Sequence, residues 1–170
     1  MDAFTTKRLT AERLRPDHLD ALIPLHLDEA VSRTLGGTRT AEQTAAYVQT
    51  NLAYWDRHGF GLWIIRDRQG QFVGRAGIRP LNVQGVQEIE IAYTFHQAYW
   101  GKGYASEIAK ALRDIAFGPL DLPELVGIVL VDHWPSRKVL EKTGLILERA
   151  YQDQGHEMVL YRTRNPRVVA

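Results

Sequence analysis

Apolar positions along this 170-residue chain change period several times, and each change marks a different kind of element. Thr10 to Leu14 reads as a short first strand. Asp17 then stands as an N-cap before a helical spacing of Leu19, Leu22 and Ile23. Pro24 interrupts that spacing, so a second helical turn is predicted to start there. Thr40 and Gln43 form a capping box that opens a long helix through Tyr47, Val48, Leu52 and Trp55, with Gly59 as its stop.

From Phe60 the period falls to that of strands. Phe60–Arg66, Phe72–Pro80 and Gln87–Phe95 are predicted strands, joined by the turn sequences Asp67–Gly70 and Asn82–Gly85. Helical spacing returns with Ala105, Ile108, Ala109, Leu112, Ile115 and Ala116 and ends near Gly118. Leu125–Val131 is apolar nearly throughout, as a strand buried on both faces would be. A short helix over Pro135–Thr143, stopped by Gly144, precedes a hairpin of Ile146–Tyr151 and Glu157–Thr163 around Asp153–Gly155. The order is strand, two helices, three strands, helix, strand, helix, two strands. It predicts an α+β fold with a mixed sheet. No linker, repeat or low-complexity stretch divides it, so residues 1–170 read as a single domain.

Composition changes this picture mainly by exclusion. A 45% hydrophobic content suits a full core. A net charge of +1 with both signs interspersed is not the footprint of a nucleic-acid binder. The chain has no cysteine, which removes disulfides, thiolate zinc sites and a cysteine nucleophile. Its six histidines lack metal-ligand spacing, so no metal is expected. No apolar run approaches about 18 residues and no signal-peptide core opens the chain, so a soluble cytoplasmic protein without a membrane partner is expected.

The most informative segment lies between the third of those strands and the next helix. Gly101 and Gly103 surround Lys102 in a turn that feeds a helix start. Such a turn leaves backbone N–H groups unpaired at the positive end of the helix dipole, a seat for phosphate. Glycine lets a diphosphate approach the backbone and permits positive φ, and Lys102 adds a cation. A Walker loop, G-x-x-x-x-G-K-S/T, would need a glycine where His96 stands and has no place for Gly103. A dinucleotide fingerprint would put Ser106 at its last glycine and belongs to an early βαβ unit.

The third reading is a coenzyme A loop. Here the chain resembles the GNAT N-acetyltransferases, whose diphosphate loop is R/Q-x-x-G-x-G/A at a strand-to-helix junction. Tyr99-Trp-Gly-Lys-Gly-Tyr-Ala105 followed by Glu107 is similar to the branch holding the ribosomal-protein alanine N-acetyltransferases. Thr6–Leu9, Gly59–Trp63, Phe72–Gly77 and Val139–Leu145 extend the resemblance along the chain. Ala98 occupies the first R/Q position, which removes one side-chain contact but not the backbone cradle.

This resemblance implies the GNAT fold, with helices on both faces of a mostly antiparallel sheet. It also implies direct transfer of an acetyl group from acetyl-CoA to a primary amine, on a protein N-terminus or a small molecule. Backbone groups of Ala92, Tyr93, Thr94 and Phe95 would hold pantetheine between two diverging strands, Gln87–Phe95 and Leu125–Val131. Trp100, Gly101, Lys102, Gly103, Tyr104 and Ala105 would seat the diphosphate.

Transfer needs an unprotonated amine, and Glu90 or Glu88 is either the base or half of a solvated pair; Glu90 matches the branch's Glu-Ile-Gly-Tyr segment. The tyrosine that protonates the leaving thiolate in many relatives falls on Leu140 here. Ser136 is present at the branch's serine, where it would bond the cofactor thiol, deliver a proton or cap the helix. His133 replaces the branch's asparagine, as a pantetheine contact, a proton shuttle or a surface histidine. Those departures keep open an alternative, a non-catalytic acyl-CoA-binding module or sensor on the same fold. A larger acyl group such as succinyl is a further alternative. The Leu35–Arg39 loop would bound the acceptor pocket, and the final hairpin could pair across a homodimer.

Overall fold

Gln84 and Gly85 both adopt positive φ, 50° and 87°, and so close a two-residue turn. That turn sets the register of the strands it joins, β4 (Phe72–Val83) and β5 (Val86–Phe95), pairing Val83 with Val86 and Arg79 with Glu90. Before them come β1 (Ala3–Thr5), β2 (Leu9–Arg13), α1 (Leu19–Leu27), α2 (Glu29–Ser32), α3 (Ala41–His58) and β3 (Leu62–Asp67). After them come α4 (Tyr104–Phe117), β6 (Glu124–Leu130), α5 (Trp134–Lys142), β7 (Ile146–Asp153) and β8 (His156–Arg164). The computed structural model describes residues 1–168. The last two positions of the expected 1–170 domain lie outside the described residues.

The strands form one open sheet in the order β1-β2-β3-β4-β5-β6-β8-β7. Every neighbouring pair is antiparallel except β5 and β6, which run parallel. This is the α+β, mostly antiparallel arrangement expected. α3 begins and ends as its residues dictate: Thr40 Oγ1 accepts from the Gln43 N–H, Gln43 Oε1 accepts from the Thr40 N–H, and Gly59 turns left-handed at φ 73°. The main core brings Leu22, Leu25, Val48 and Trp55 together with Ile64, Ile78, Ile91, Ile108, Leu112 and Leu140. Each such fully buried aliphatic side chain stabilises the fold by about 1.5–3 kcal/mol.

Four details differ from the expected order. Asp17 does not cap α1: it lies in a short helical turn, Pro16–His18, and His18 precedes α1 without a side-chain cap bond. β1 precedes the predicted first strand and pairs with it at the sheet edge. Its three residues are too few for alternation to be read. Pro24 does not start a new helical turn; it lies inside α1. The helix ends four residues later at Asp28, whose carboxylate accepts from the N–H groups of Ala30 and Val31 and caps α2. A cap with two bonds outweighs a proline that removes one. β6 is buried at Leu125, Val126 and Gly127 but only half-buried from Ile128 to Leu130. Its neighbour β5 has left it there.

Candidate active site

β5 and β6 share a single register pair, Glu90 with Val126. Beyond it the strands part, leaving an open fork between Ile91–Phe95 and Gly127–Leu130. The His96 N–H donates to the Val73 carbonyl on β4 at 2.9 Å. Alternation therefore turns the N–H groups of Ala92 and Thr94 toward β4, and those of Ile91, Tyr93 and Phe95 into the fork. On the far side, α5 lies close to β6 because residue 127 is glycine: a Cβ there would meet Leu140 at 2.5 Å.

The glycine turn stands at the end of β5. The Trp100 indole N–H donates to the Phe95 carbonyl at 2.9 Å, tying the turn to the strand while the ring stays half exposed. Gly101 and Gly103 sit at φ 75° and 80°. Gly103 caps α4, and the first helical bond is the Glu107 N–H to the Gly103 carbonyl. The N–H groups of Tyr104, Ala105 and Ser106 thus have no partner within the helix. Among the described residues, apart from its chain neighbours, nothing lies within 4 Å of a Cβ placed on Gly101, and only the Arg8 guanidinium, at 3.3 Å, approaches one on Gly103. Lys102 is exposed beside them.

Arg8 lies in the Thr6–Leu9 segment but was not expected at the site. Its guanidinium donates to the Lys102 carbonyl and to Glu107, both at 2.7 Å, and lies 4.6 Å over the Tyr104 ring. Burial raises the Glu107 pKa, but hydrogen bonds from Thr6 and Arg8 more than offset it, and the carboxylate sits below its ordinary value. Arg8 and Glu107 together brace the turn from behind and leave a cation at its rim.

The two candidate bases differ in their surroundings. Glu88 meets Arg162 through both oxygens, at 2.8 and 2.9 Å, in a cluster with Glu124 and Glu148. Glu90 accepts one bond, from Arg79 Nε at 2.7 Å, at the point where the fork opens. Its other oxygen accepts nothing among the described residues.

Ser136 does not cap its helix. Its hydroxyl lies 3.0 Å from the Tyr93 hydroxyl, across the fork from β5 to α5. Burial pushes the Tyr93 phenol up to about 12, against the opposing Ser136 contact, so it keeps its proton at neutral pH. His133 precedes α5, half-buried and lowered in pKa by that burial, against the opposing charge of Asp132. Trp134 is 55% exposed, with Arg137 stacked on it at 4.2 Å.

On the Glu90 face, α1 and α3 cover a polar cluster. His26 is fully buried; its Nε2 accepts from Arg75 Nε at 3.0 Å, so Nδ1 carries the proton toward Thr44 Oγ1, also at 3.0 Å. Burial, and then the charges of Arg75, Arg39 and Arg79, push the His26 pKa down to about 3. An unfolded imidazole takes its proton near 6.5, so acid favours the unfolded chain. Stability is expected to be full above that pH and to fall below it, by about 3 kcal/mol at pH 4 from this residue. Urea unfolding at pH 7, 5.5 and 4 measures the loss. His18, His96 and His133 are lowered in the same direction, so the difference between the parent and His26→Asn isolates His26. Equal slopes in the two proteins would contradict the assignment.

A family model described as the acetyltransferase (GNAT) domain matches residues 8–146. The chain is 33% identical over 143 residues to the uncharacterized N-acetyltransferase YnaD of Bacillus subtilis, covering 84% of this chain and 81% of that one. It is similar to the crystal structure of an acetyltransferase from Agrobacterium tumefaciens, 28% identical, with a TM-score of 0.84 over 96% of this chain and 95% of that one. RimL, a ribosomal L7/L12 alpha-N-protein acetyltransferase solved with coenzyme A, shares the fold at a TM-score of 0.80 and 20% identity, over 95% and 97% of the two chains. Among the described residues no helix is long and apolar enough to cross a membrane.

Proposed function

The chain belongs to the GNAT acetyltransferase family, which uses acetyl-CoA, and from that premise we propose that residues 1–170 act as one domain moving an acetyl group from acetyl-CoA to a primary amine. The observation that carries this reading is the single register pair between β5 and β6 beside a glycine turn open to solvent. The fork accepts an extended arm as a sheet accepts a strand, and the turn accepts a diphosphate.

In this reading the N–H groups of Ile91, Tyr93 and Phe95 hold pantetheine and polarise the acetyl carbonyl as it becomes an oxyanion. Those of Tyr104 and Ala105, with Lys102 and Arg8, hold the diphosphate. Glu90 takes the proton of the amine, directly or through water, because its second oxygen is open whereas Glu88 is engaged by Arg162 on both. Ser136, backed by the protonated Tyr93, supplies a proton to the departing thiolate. His133 lines the same end of the fork as a neutral ring.

Calorimetric titration of acetyl-CoA into the purified protein tests the donor site. Binding at low micromolar Kd is expected, weakened by on the order of tenfold in Arg8→Ala, which removes one cation from the rim. No binding at high micromolar concentration would defeat the proposal. Binding without thiol release across a panel of amines would favour a sensor instead.

A further inference from the structure

Three guanidinium groups surround one aromatic ring on the Glu90 face of the fork. Arg75, Arg39 and Arg79 lie 4.8, 5.1 and 5.5 Å from the centre of the Tyr47 ring. They come from separate parts of the chain: Arg39 ends the loop after α2, while Arg75 and Arg79 project from one face of β4. Only one carboxylate, Glu90, hydrogen-bonds to any of them among the described residues. His26 is neutral there. The cluster therefore carries an excess of positive charge in a setting where Arg75 is 2% exposed.

Its donors are also incompletely used. Arg79 gives Nε–H to Glu90 and Nη1–H to the Tyr47 hydroxyl at 3.1 Å. Arg75 gives Nε–H to His26, and its side chain makes no other hydrogen bond among the described residues. Among the described residues Arg39 Nη1 is buried with no hydrogen-bond partner. An under-paired buried cation and an unsatisfied donor both oppose folding, and an anionic ligand would relieve both. Guanidinium forks match the geometry of a carboxylate, to which they bind through paired N–H groups.

From this we infer that the amine accepted by the enzyme carries a carboxylate, held by Arg39, Arg75 and Arg79 around Tyr47, so that the amine itself reaches Glu90. The inference rests on the proposed transfer reaction and adds the class of acceptor to it: an amino acid, or a peptide with an acidic residue near its N-terminus. The loop bearing Arg39 is the one expected to bound the acceptor pocket. Its backbone is pinned by the Arg39 N–H to the His26 carbonyl at 3.0 Å, which fixes where that guanidinium enters. Arg79 then serves twice, orienting Glu90 and meeting the acceptor's charge.

Thiol release from acetyl-CoA is the measurement, with matched acceptors that differ only in the carboxylate. Amino acids and their carboxamides form one set; peptides with Glu or Gln at the second position form the other. The acid of at least one matched pair is expected to exceed its amide by tenfold or more in kcat/KM, and Arg39→Ala to shrink that ratio toward one. Arg39→Lys, which keeps charge but loses the fork, is expected to fall between.

Binding of N-acetylated products, acid against amide, to the CoA-loaded protein supplies a second readout that needs no turnover. If acetyl-CoA binds but no acid exceeds its amide in either readout, the inference is overturned and the transfer reading stands. Failure of acetyl-CoA to bind removes both. A tenfold preference for succinyl-CoA over acetyl-CoA, lost in Arg39→Ala, would put the anion on the donor and overturn it too.

Discussion

Glu90→Gln is expected to lower kcat for amine acetylation by on the order of 100-fold, about 2.7 kcal/mol, while leaving the Kd for acetyl-CoA within twofold of the parent. The substitution is narrow. Glutamine keeps the oxygen that accepts from Arg79 Nε, a bond of 2.7 Å in the parent, and removes only the charge and the capacity to take a proton. A purely structural role for Glu90 would lower thermal stability with kcat in proportion to the fraction folded. A base instead gives a defect that depends on pH.

The variant has no proton acceptor, so its rate follows the fraction of amine already neutral in solution. That fraction climbs tenfold per pH unit until the amine's own pKa, about 8 for an α-amine and about 10.4 for a lysine-like one. The gap between parent and variant should therefore narrow above neutrality and close near that pKa. A gap constant from pH 6.5 to 9 would remove Glu90 from proton transfer. The arginine cluster adds a further expectation: with one negative charge gone, a carboxylate-bearing acceptor should bind no more weakly, so the loss belongs in kcat and not in KM.

Much of this site was legible in the sequence because it is written in local rules. The glycine turn, the helix it opens and the alternation of β5 each depend on residues within a few positions of one another. Even the Arg79–Glu90 pair could have been read from the hairpin, since a two-residue turn at Gln84 and Gly85 fixes which residues face each other. It was missed because Glu90 was judged by its own strand alone.

Other contacts gave no such signal. Arg8 and Glu107 are 99 positions apart, and the Tyr93 and Ser136 hydroxyls 43, so only the closed sheet brings them together. His26, which nothing in the sequence singles out, is buried because α3 crosses above it. The proline in α1 misled for a related reason. A local rule set the cost of Pro24, but the end of the helix was decided by a better cap at Asp28.

The second large effect is expected at the diphosphate seat. Gly101→Asn should raise the Kd for acetyl-CoA by about 30-fold, roughly 2 kcal/mol, with little change in melting temperature. Asparagine is chosen because it tolerates the left-handed conformation that φ of 75° demands better than other side chains do. Among the described residues, apart from its chain neighbours, nothing lies within 4 Å of the added Cβ, so the fold has nothing to rearrange. Only a ligand occupying that open space would meet the new side chain.

Gly155→Asn is the matched control. It sits at φ 81°, also with nothing within 4 Å, but in the β7–β8 turn, so it carries the same backbone strain without touching the fork. The acetyl thioester of N-acetylcysteamine gives an internal check, because it has the reacting end of the donor and no diphosphate. With it, Gly101→Asn and the parent should transfer at similar rates, which assigns the lost affinity to the turn. Unchanged acetyl-CoA affinity in a folded Gly101→Asn protein would mean that the diphosphate lies elsewhere, and the bare amides at the start of α4 would then be solvated rather than functional.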